Sequence, residues 1–138
     1  MAGTDVGEVR RHFETNGYLG EDRGLLMVVA DGEPAGTVSW IARRHARVGQ
    51  CWSIGIALVP EWRGRGVGWR AQRALCDYLF AHTPVMRIEA ATRVDNIAEQ
   101  RALERAGFTR EGVLRAAQFS HGEWRDLVLY SRLRHDPA

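Results

Sequence analysis

The chain reads as an α+β (mixed α/β) domain built on one mixed sheet with helices packed on it, and three observations carry that reading. Periodic segments follow one another as β-β-β-α-β-α-β-β after a short leading helix. The two strongest helical runs are separated by a strand-like run that Pro84 isolates from the first of them. At 138 residues with 45% hydrophobic and 26% charged residues, the composition is that of an ordinary globular domain. One domain spanning 1–138 is therefore expected, and no internal repeat, linker or low-complexity stretch divides it.

Residues 5–16 suit a short helix, with Thr4 or Asp5 as N-cap and Gly17 beyond its end. Leu25–Ala30 is a continuous apolar run, the pattern of a buried strand. Asp31-Gly32 is a hairpin turn signal, and Pro34 to Ala42 is the returning strand. Gln50–Val59 is the third strand, and Gly55 within it marks a bulge or a close backbone approach. Over Val67–His82, residues Val67, Ala71, Ala74, Leu75, Tyr78 and Leu79 fall on one helical stripe, with arginines and Asp77 opposite. Met86–Thr92 is the next strand. Asn96 to Ala106 is a second helix, with Gly107 as its C′ residue. Two long β segments, 109–120 and 123–134, close the chain around His121-Gly122.

Charge and cysteine content exclude several classes. The net charge of +2 is too small to argue for nucleic acid, and all 19 basic residues are arginine, so the protein cannot modify lysines of its own. The densest basic run, Arg43-Arg44-His45-Ala46-Arg47, lies between two strands and suits a solvated hairpin loop better than a nucleic-acid contact. Cys51 and Cys76 have no metal-ligand spacing, and the five histidines form no i, i+4 pair, so no metal site and two reduced cysteines are expected. No apolar run approaches a membrane span and no basic-then-apolar leader opens the chain, so a cytoplasmic setting without a membrane partner is expected.

The most informative stretch is 58–68, Leu-Val-Pro-Glu-Trp-Arg-Gly-Arg-Gly-Val-Gly. Glycines between an apolar strand and an amphipathic helix let backbone N–H groups converge on one point, and the helix N-terminus adds partial positive charge. Such a cradle suits phosphate, with Arg63, Arg65 and Arg70 as charged donors; a tight turn with solvated arginines is the plainer alternative. A Walker A loop is excluded by the absence of lysine, and Gly64-x-Gly66-x-Gly68 has the wrong spacing for the dinucleotide fingerprint.

What the pattern resembles is the pyrophosphate loop of the GNAT acetyltransferase superfamily, Arg/Gln-x-x-Gly-x-Gly/Ala. The match is Val59-Pro60 followed by Arg63, Gly66 and Gly68. The likeness continues in Arg87-Ile88-Glu89-Ala90, in Asp95-Asn96 with Leu103-Glu104-Arg105-Ala106-Gly107-Phe108, in Glu111-Gly112-Val113-Leu114-Arg115 and in Gly122-x-Trp124-x-Asp126-x-x-x-Tyr130. It covers about residues 33–134 and is most similar to the branch with the ribosomal-protein N-terminal (alanine/serine) acetyltransferases. The resemblance implies a GNAT-like fold and acetyl-CoA as acyl donor, with transfer to a primary amine of a protein N-terminus or small molecule by direct attack. A non-catalytic CoA-binding or regulatory domain is the alternative. The family fold normally begins with another strand, which this chain lacks in the sequence pattern. The strand near Leu25–Ala30 would then be an edge; pairing in a homodimer, an unusual N-terminal arrangement or a shortened chain would each account for it.

The resemblance also assigns roles. The backbone of Ala57, Leu58 and Val59 would hold pantetheine as an added strand, and Arg63, Gly64, Arg65, Gly66, Val67, Gly68, Trp69 and Arg70 would hold the pyrophosphate. Asn96 would contact pantetheine. As plain structure, Asn96-x-x-Glu99 is a capping box with Glu99 reaching back; many relatives carry Ser where Glu99 stands. Glu89 is the candidate general base, with pairing to Arg87 or Arg93 as the structural alternative. The family's thiolate-protonating Tyr corresponds to Leu103, leaving Tyr130 or His121 as substitutes. Trp40, Trp52, Phe119 and Trp124 could line an acceptor cleft, or serve as core.

Overall fold

A computed structural model describes residues 22–137. Six strands form one sheet: β1 (Arg23–Ala30), β2 (Glu33–Arg44), β3 (Gln50–Leu58), β4 (Arg87–Arg93), β5 (Thr109–Ser120) and β6 (Glu123–Leu133). Two helices, α1 (Val67–His82) and α2 (Ile97–Arg105), interrupt them, and a single 3-10 turn, Pro60–Trp62, precedes α1. The order across the sheet is β1-β2-β3-β4-β6-β5. Only β3 and β4 run parallel; the other neighbours are antiparallel. The element order matches the expected β-β-β-α-β-α-β-β. The expected helix at 5–16 lies outside the described residues, as does whatever adjoins β1, which is a terminal strand among the described residues.

Each helix starts and stops where its sequence says it should. The stripe Val67, Ala71, Ala74, Leu75 and Leu79 of α1 is buried. Its C-terminus is closed by Thr83, whose N–H and Oγ1 both donate to Leu79 O at 2.9 and 2.7 Å, before Pro84 forbids another turn. Trp52 Nε1 donates to Thr83 Oγ1 at 3.0 Å and ties this end of α1 to β3. At the end of α2, Gly107 has φ +97°, Phe108 N–H donates to Leu103 O and Gly107 N–H to Glu104 O. This is a Schellman motif with glycine at C′, as expected.

The register sorts the side chains onto two faces. Trp52, Ile54, Ile88, Ala90 and Tyr130 are buried and share the face on which both helices pack, forming a core with Leu26, Val38, Leu75, Leu79 and Leu103. Ser53, Glu89 and Ser131 are register partners and point to the other face. The parallel pairing of β3 with β4 spans only Trp52–Ile54 and Ile88–Ala90. Beyond it the strands part, so Gly55–Leu58 keep β2 on one side and have no strand on the other among the described residues. This split positions the site.

Candidate functional site

Past the split, β3 delivers the chain to the glycine turn. Trp62, buried in the core, anchors the 3-10 turn, and Gly64 and Gly66 have φ of +71° and +80°. Gly66 is the N-cap of α1 in left-handed geometry, no side chain caps the helix, and its first turn carries no acidic residue. The N–H groups of an uncapped first turn have no intrahelical acceptor. With the helix dipole behind them, such N–H groups suit a negatively charged ligand.

The three arginines of the turn do different things. Arg63 folds back, with Nε donating to Leu58 O at 3.2 Å. Arg65 lies over the Trp62 ring at 4.0 Å and donates to Glu61 O at 3.2 Å. Arg70 stays beside the turn: its guanidinium lies 5.0 Å from the Trp69 ring centre, and a Cβ placed on Gly66 would sit 3.0 Å from its Nη1. Arg105 of α2 covers Trp69 at 4.6 Å. The indole thus gathers two guanidiniums at the helix start.

Asn96 Oδ1 accepts the Glu99 N–H at 3.2 Å, so half of the expected capping box forms. The other half does not. Glu99 does not reach back; its Oε1 accepts from Gln72 Nε2 of α1 at 3.3 Å, while Asn96 N–H donates to Arg93 O. The packed flank of α1 offers a buried amide donor that linear spacing cannot reveal. Burial pushes the Glu99 carboxyl up from 4.5 to about 7, with the Gln72 hydrogen bond opposing it.

On the open face, Glu89 is 2% exposed. Its Oε2 accepts from Arg87 Nε at 2.7 Å and meets His45 Nε2; Arg43 Nε stands 3.8 Å from Oε1. Arg87 in turn grips Glu111 with both terminal nitrogens, at 2.5 and 2.9 Å, and Ser131 Oγ donates to the same carboxylate. The Arg87 and Ser131 hydrogen bonds lower the Glu111 carboxyl from 4.5 to about 2. Glu89 therefore pairs with Arg87, the structural alternative expected for it, but as a buried and not a surface strand residue. His45, Cys51 and Glu89 also come together, with one potential ligand atom from each within 4.8 Å of the others. Their spacing in the chain hides this; the β2–β3 hairpin creates it. Burial, then the Glu89 charge, raises the Cys51 thiol, so it is a protonated neighbour and not a thiolate.

Tyr130 falls elsewhere. Fully buried on the helix face, its hydroxyl donates to Glu104 Oε2 at 2.9 Å and Gln100 Oε1 at 3.4 Å. Burial and the Glu104 hydrogen bond raise its proton affinity. The sheet stands between it and Glu89, so the structure does not bring the two expected catalytic residues together. Of the expected acceptor aromatics, Trp40 and Trp52 are core, whereas Phe119 and Trp124 stack edge-on at 5.4 Å and are exposed near the β5–β6 turn. A groove of about 520 Å³ crosses the open face along Leu25, Ser39, Ile41, Ser53 and Gly55, beside the split.

Comparison with known proteins agrees with this geometry. The model of the acetyltransferase (GNAT) domain matches residues 3–109. The Bacillus subtilis proteins YjcK and YdaF are 32% and 30% identical over 111 and 127 residues, covering 80% and 92% of this chain. The chain spans only 61% and 65% of their lengths. Among solved structures, RimL, a ribosomal L7/L12 α-N-protein acetyltransferase in complex with coenzyme A, superposes with a TM-score of 0.72 at 25% identity, over 92% of this chain and 67% of that one. The microcin C7 self-immunity acetyltransferase MccE, in complex with acetyl-CoA and AMP, gives a TM-score of 0.72 at 27% identity, over 82% and 62%.

Proposed function

The chain belongs to the GNAT acetyltransferase family, and on that premise we propose that it transfers an acetyl group from acetyl-CoA to a primary amine by direct attack. The observation that carries this is the split of β3 from β4, which leads straight into an uncapped glycine turn. A thioester arm laid along Gly55–Leu58 takes the backbone positions β4 has vacated, and its diphosphate meets the first-turn N–H groups of Val67, Gly68 and Trp69, with Arg70 beside them. Holding donor and amine in one geometry supplies the main rate advantage of such a reaction. Backbone N–H groups facing the thioester carbonyl would stabilise the oxyanion formed on attack.

In this reading Glu89 is the base. It sits one register position before the split, on the face where the groove opens, and His45, more than half exposed and bonded to it, passes the proton to solvent. The acceptor is a protein α-amine or a small-molecule amine entering by that groove. RimL acts on a protein α-amine, by its description. Leu103 has no acidic proton to give, and the Tyr130 hydroxyl is already engaged by Glu104 and Gln100. That observation favours the second reading, a domain that binds CoA without turning it over.

A thiol-release assay with acetyl-CoA and a panel of peptide and small-molecule amines separates the two. Turnover on any amine, reduced at least about 100-fold by Glu89→Gln with acetyl-CoA affinity unchanged, supports the enzyme. Tight donor binding with no release on any amine supports the binding domain.

A further inference from the structure

Three unlike donor atoms meet on the open face where β2, β3 and β4 lie side by side. His45 follows the end of β2, Cys51 is the second residue of β3, and Glu89 is the third of β4. Cys51 stands two residues before Ser53, the register partner of Glu89, so both side chains leave the sheet on the same side. One nitrogen, one sulfur and one carboxylate oxygen of the three residues lie within 4.8 Å of one another, and His45 Nε2 already touches Glu89 Oε2. Cys51 and Glu89 are buried, whereas the His45 side chain is 55% exposed. Two donors are thus fixed in the sheet, and the third closes over them from the solvent side. Around one tetrahedral Zn2+, a nitrogen, a thiolate sulfur and a carboxylate oxygen stand about 3.4–3.6 Å apart. A spread of at most 4.8 Å closes to that with a shift of about 1 Å, which falls to the exposed imidazole. The ion takes the place of the direct His45–Glu89 contact.

Two guanidiniums also face Glu89. Arg87 Nε donates to Oε2 while its terminal nitrogens grip Glu111, and Arg43 Nε stands 3.8 Å from Oε1, beyond hydrogen-bond reach. A carboxylate that ligates a metal is itself held by a hydrogen bond in well-built sites. Arg87 on Oε2 and an ion on Oε1 can therefore share Glu89. Arg43 is half exposed and has room to turn into solvent. Glu111 and the thiolate formed on binding offset the two positive charges. The donor set also selects. Mg2+ and Ca2+ need shells of six or more oxygens, and a single carboxylate does not supply one. Imidazole with thiolate suits softer ions, zinc foremost.

The geometry points to His45, Cys51 and Glu89 as a site for one thiophilic divalent cation of the zinc class, with a fourth position left open. On binding, the Cys51 thiol gives its proton to solvent as the sulfur–metal bond forms, and nothing is oxidised or reduced. The site stands on these three side chains alone. Its consequence rests on the reading above: the ion occupies the carboxylate assigned as base and the imidazole assigned as its proton outlet. Metal loading therefore shuts off proton removal, and none of the three ligands belongs to the glycine turn.

The test is titration of the full chain with Co2+ and then Zn2+, with both cysteines kept reduced. Cobalt reports its own ligands: a thiolate gives a sulfur-to-metal charge-transfer band in the near ultraviolet, and a tetrahedral site gives strong visible absorption. The native chain should show both, saturating at one ion per chain, and zinc should abolish them by displacement. The other cysteine, Cys76, is fully buried in the core, so the charge-transfer band should vanish in Cys51→Ala. His45→Ala changes an exposed position and leaves the fold intact. Each of these two variants should weaken zinc binding at least about tenfold by calorimetry, and Mg2+ should give no heat with the native chain. No cobalt spectrum in the native chain, a charge-transfer band that survives Cys51→Ala, or zinc affinity unchanged in either variant overturns the inference. None of these readouts involves acetyl-CoA, so they stand or fall apart from the donor-site reading.

Discussion

Replacing Glu99 by glutamine should make the ligand-free protein more stable at alkaline pH and leave it unchanged in acid. The carboxyl titrates near 4.5 in an unfolded chain and at about 7 in the fold. Between those values the folded state holds a proton the unfolded state has lost, so this group's contribution is full below pH 4.5, declines as pH rises, and is gone above 7. At 1.36 kcal/mol per pH unit, the step from 4.5 to about 7 has a ceiling of about 3 kcal/mol. Glutamine keeps the acceptor for Gln72 Nε2 and cannot ionise. Urea unfolding of both proteins at half-unit steps from pH 4 to 8.5 checks this. The difference in unfolding free energy should be near zero at pH 4, grow through pH 5–7, and level off at about 2–3 kcal/mol by pH 8. A difference that stays flat across that range, or that favours the native chain at pH 8, refutes the claim that burial without a cation sets this carboxyl's titration.

Other perturbations probe other parts of the account. Gly66→Ala forces a Cβ into left-handed geometry beside Arg70, at about 1–2 kcal/mol of strain, and should weaken acetyl-CoA binding about tenfold by calorimetry; unchanged affinity would remove the turn from the donor site. Tyr130→Phe should cost about 1–2 kcal/mol in urea unfolding, leaving kcat within about twofold of native. A large fall in kcat with the fold intact would show that the phenol takes part in the chemistry. Arg87→Met removes the hydrogen bonds that link buried Glu89 to exposed Glu111, leaving Glu89 to His45 and Arg43, and should destabilise by about 1–3 kcal/mol, with much of that recovered by adding Glu89→Gln; additive losses would deny the coupling. Ala116, at φ +48° with its N–H held by Asp126 Oδ1 at 2.7 Å, should tolerate glycine with a gain of up to about 1 kcal/mol, whereas proline there should unseat the β5–β6 bulge.

The sequence expresses local structure well because local rules decide it here. The apolar stripe over Val67–His82 and Pro84 after it set α1 at those bounds, and Gly107 ends α2 because only φ > 0 closes a Schellman motif. The glycine turn is equally legible, since its conformations are written in residue types. What stays hidden depends on register and on contacts distant in sequence. Tyr130 and Ser131 are adjacent, and one strand offset decides which of them faces the helices. Glu99 meets an amide 27 residues away, and Glu89 meets a histidine 44 residues away; neither pairing leaves a trace in spacing. The bulge opposite Asp126, at Arg115–Ala117, carries no turn residue, because an aspartate across the hairpin supplies the restraint that glycine would otherwise provide.

The measurement closest to the central claim is amide-resolved NMR of the full chain titrated with acetyl-CoA. The N–H signals of Gly66, Val67, Gly68 and Trp69 should move together with those of Ile56–Leu58, marking a diphosphate on the turn and a thioester arm along the edge of β3 that β4 leaves open. Signals that stay still there, or that move only at residues 43–47 at the end of β2 and beyond it, would contradict it.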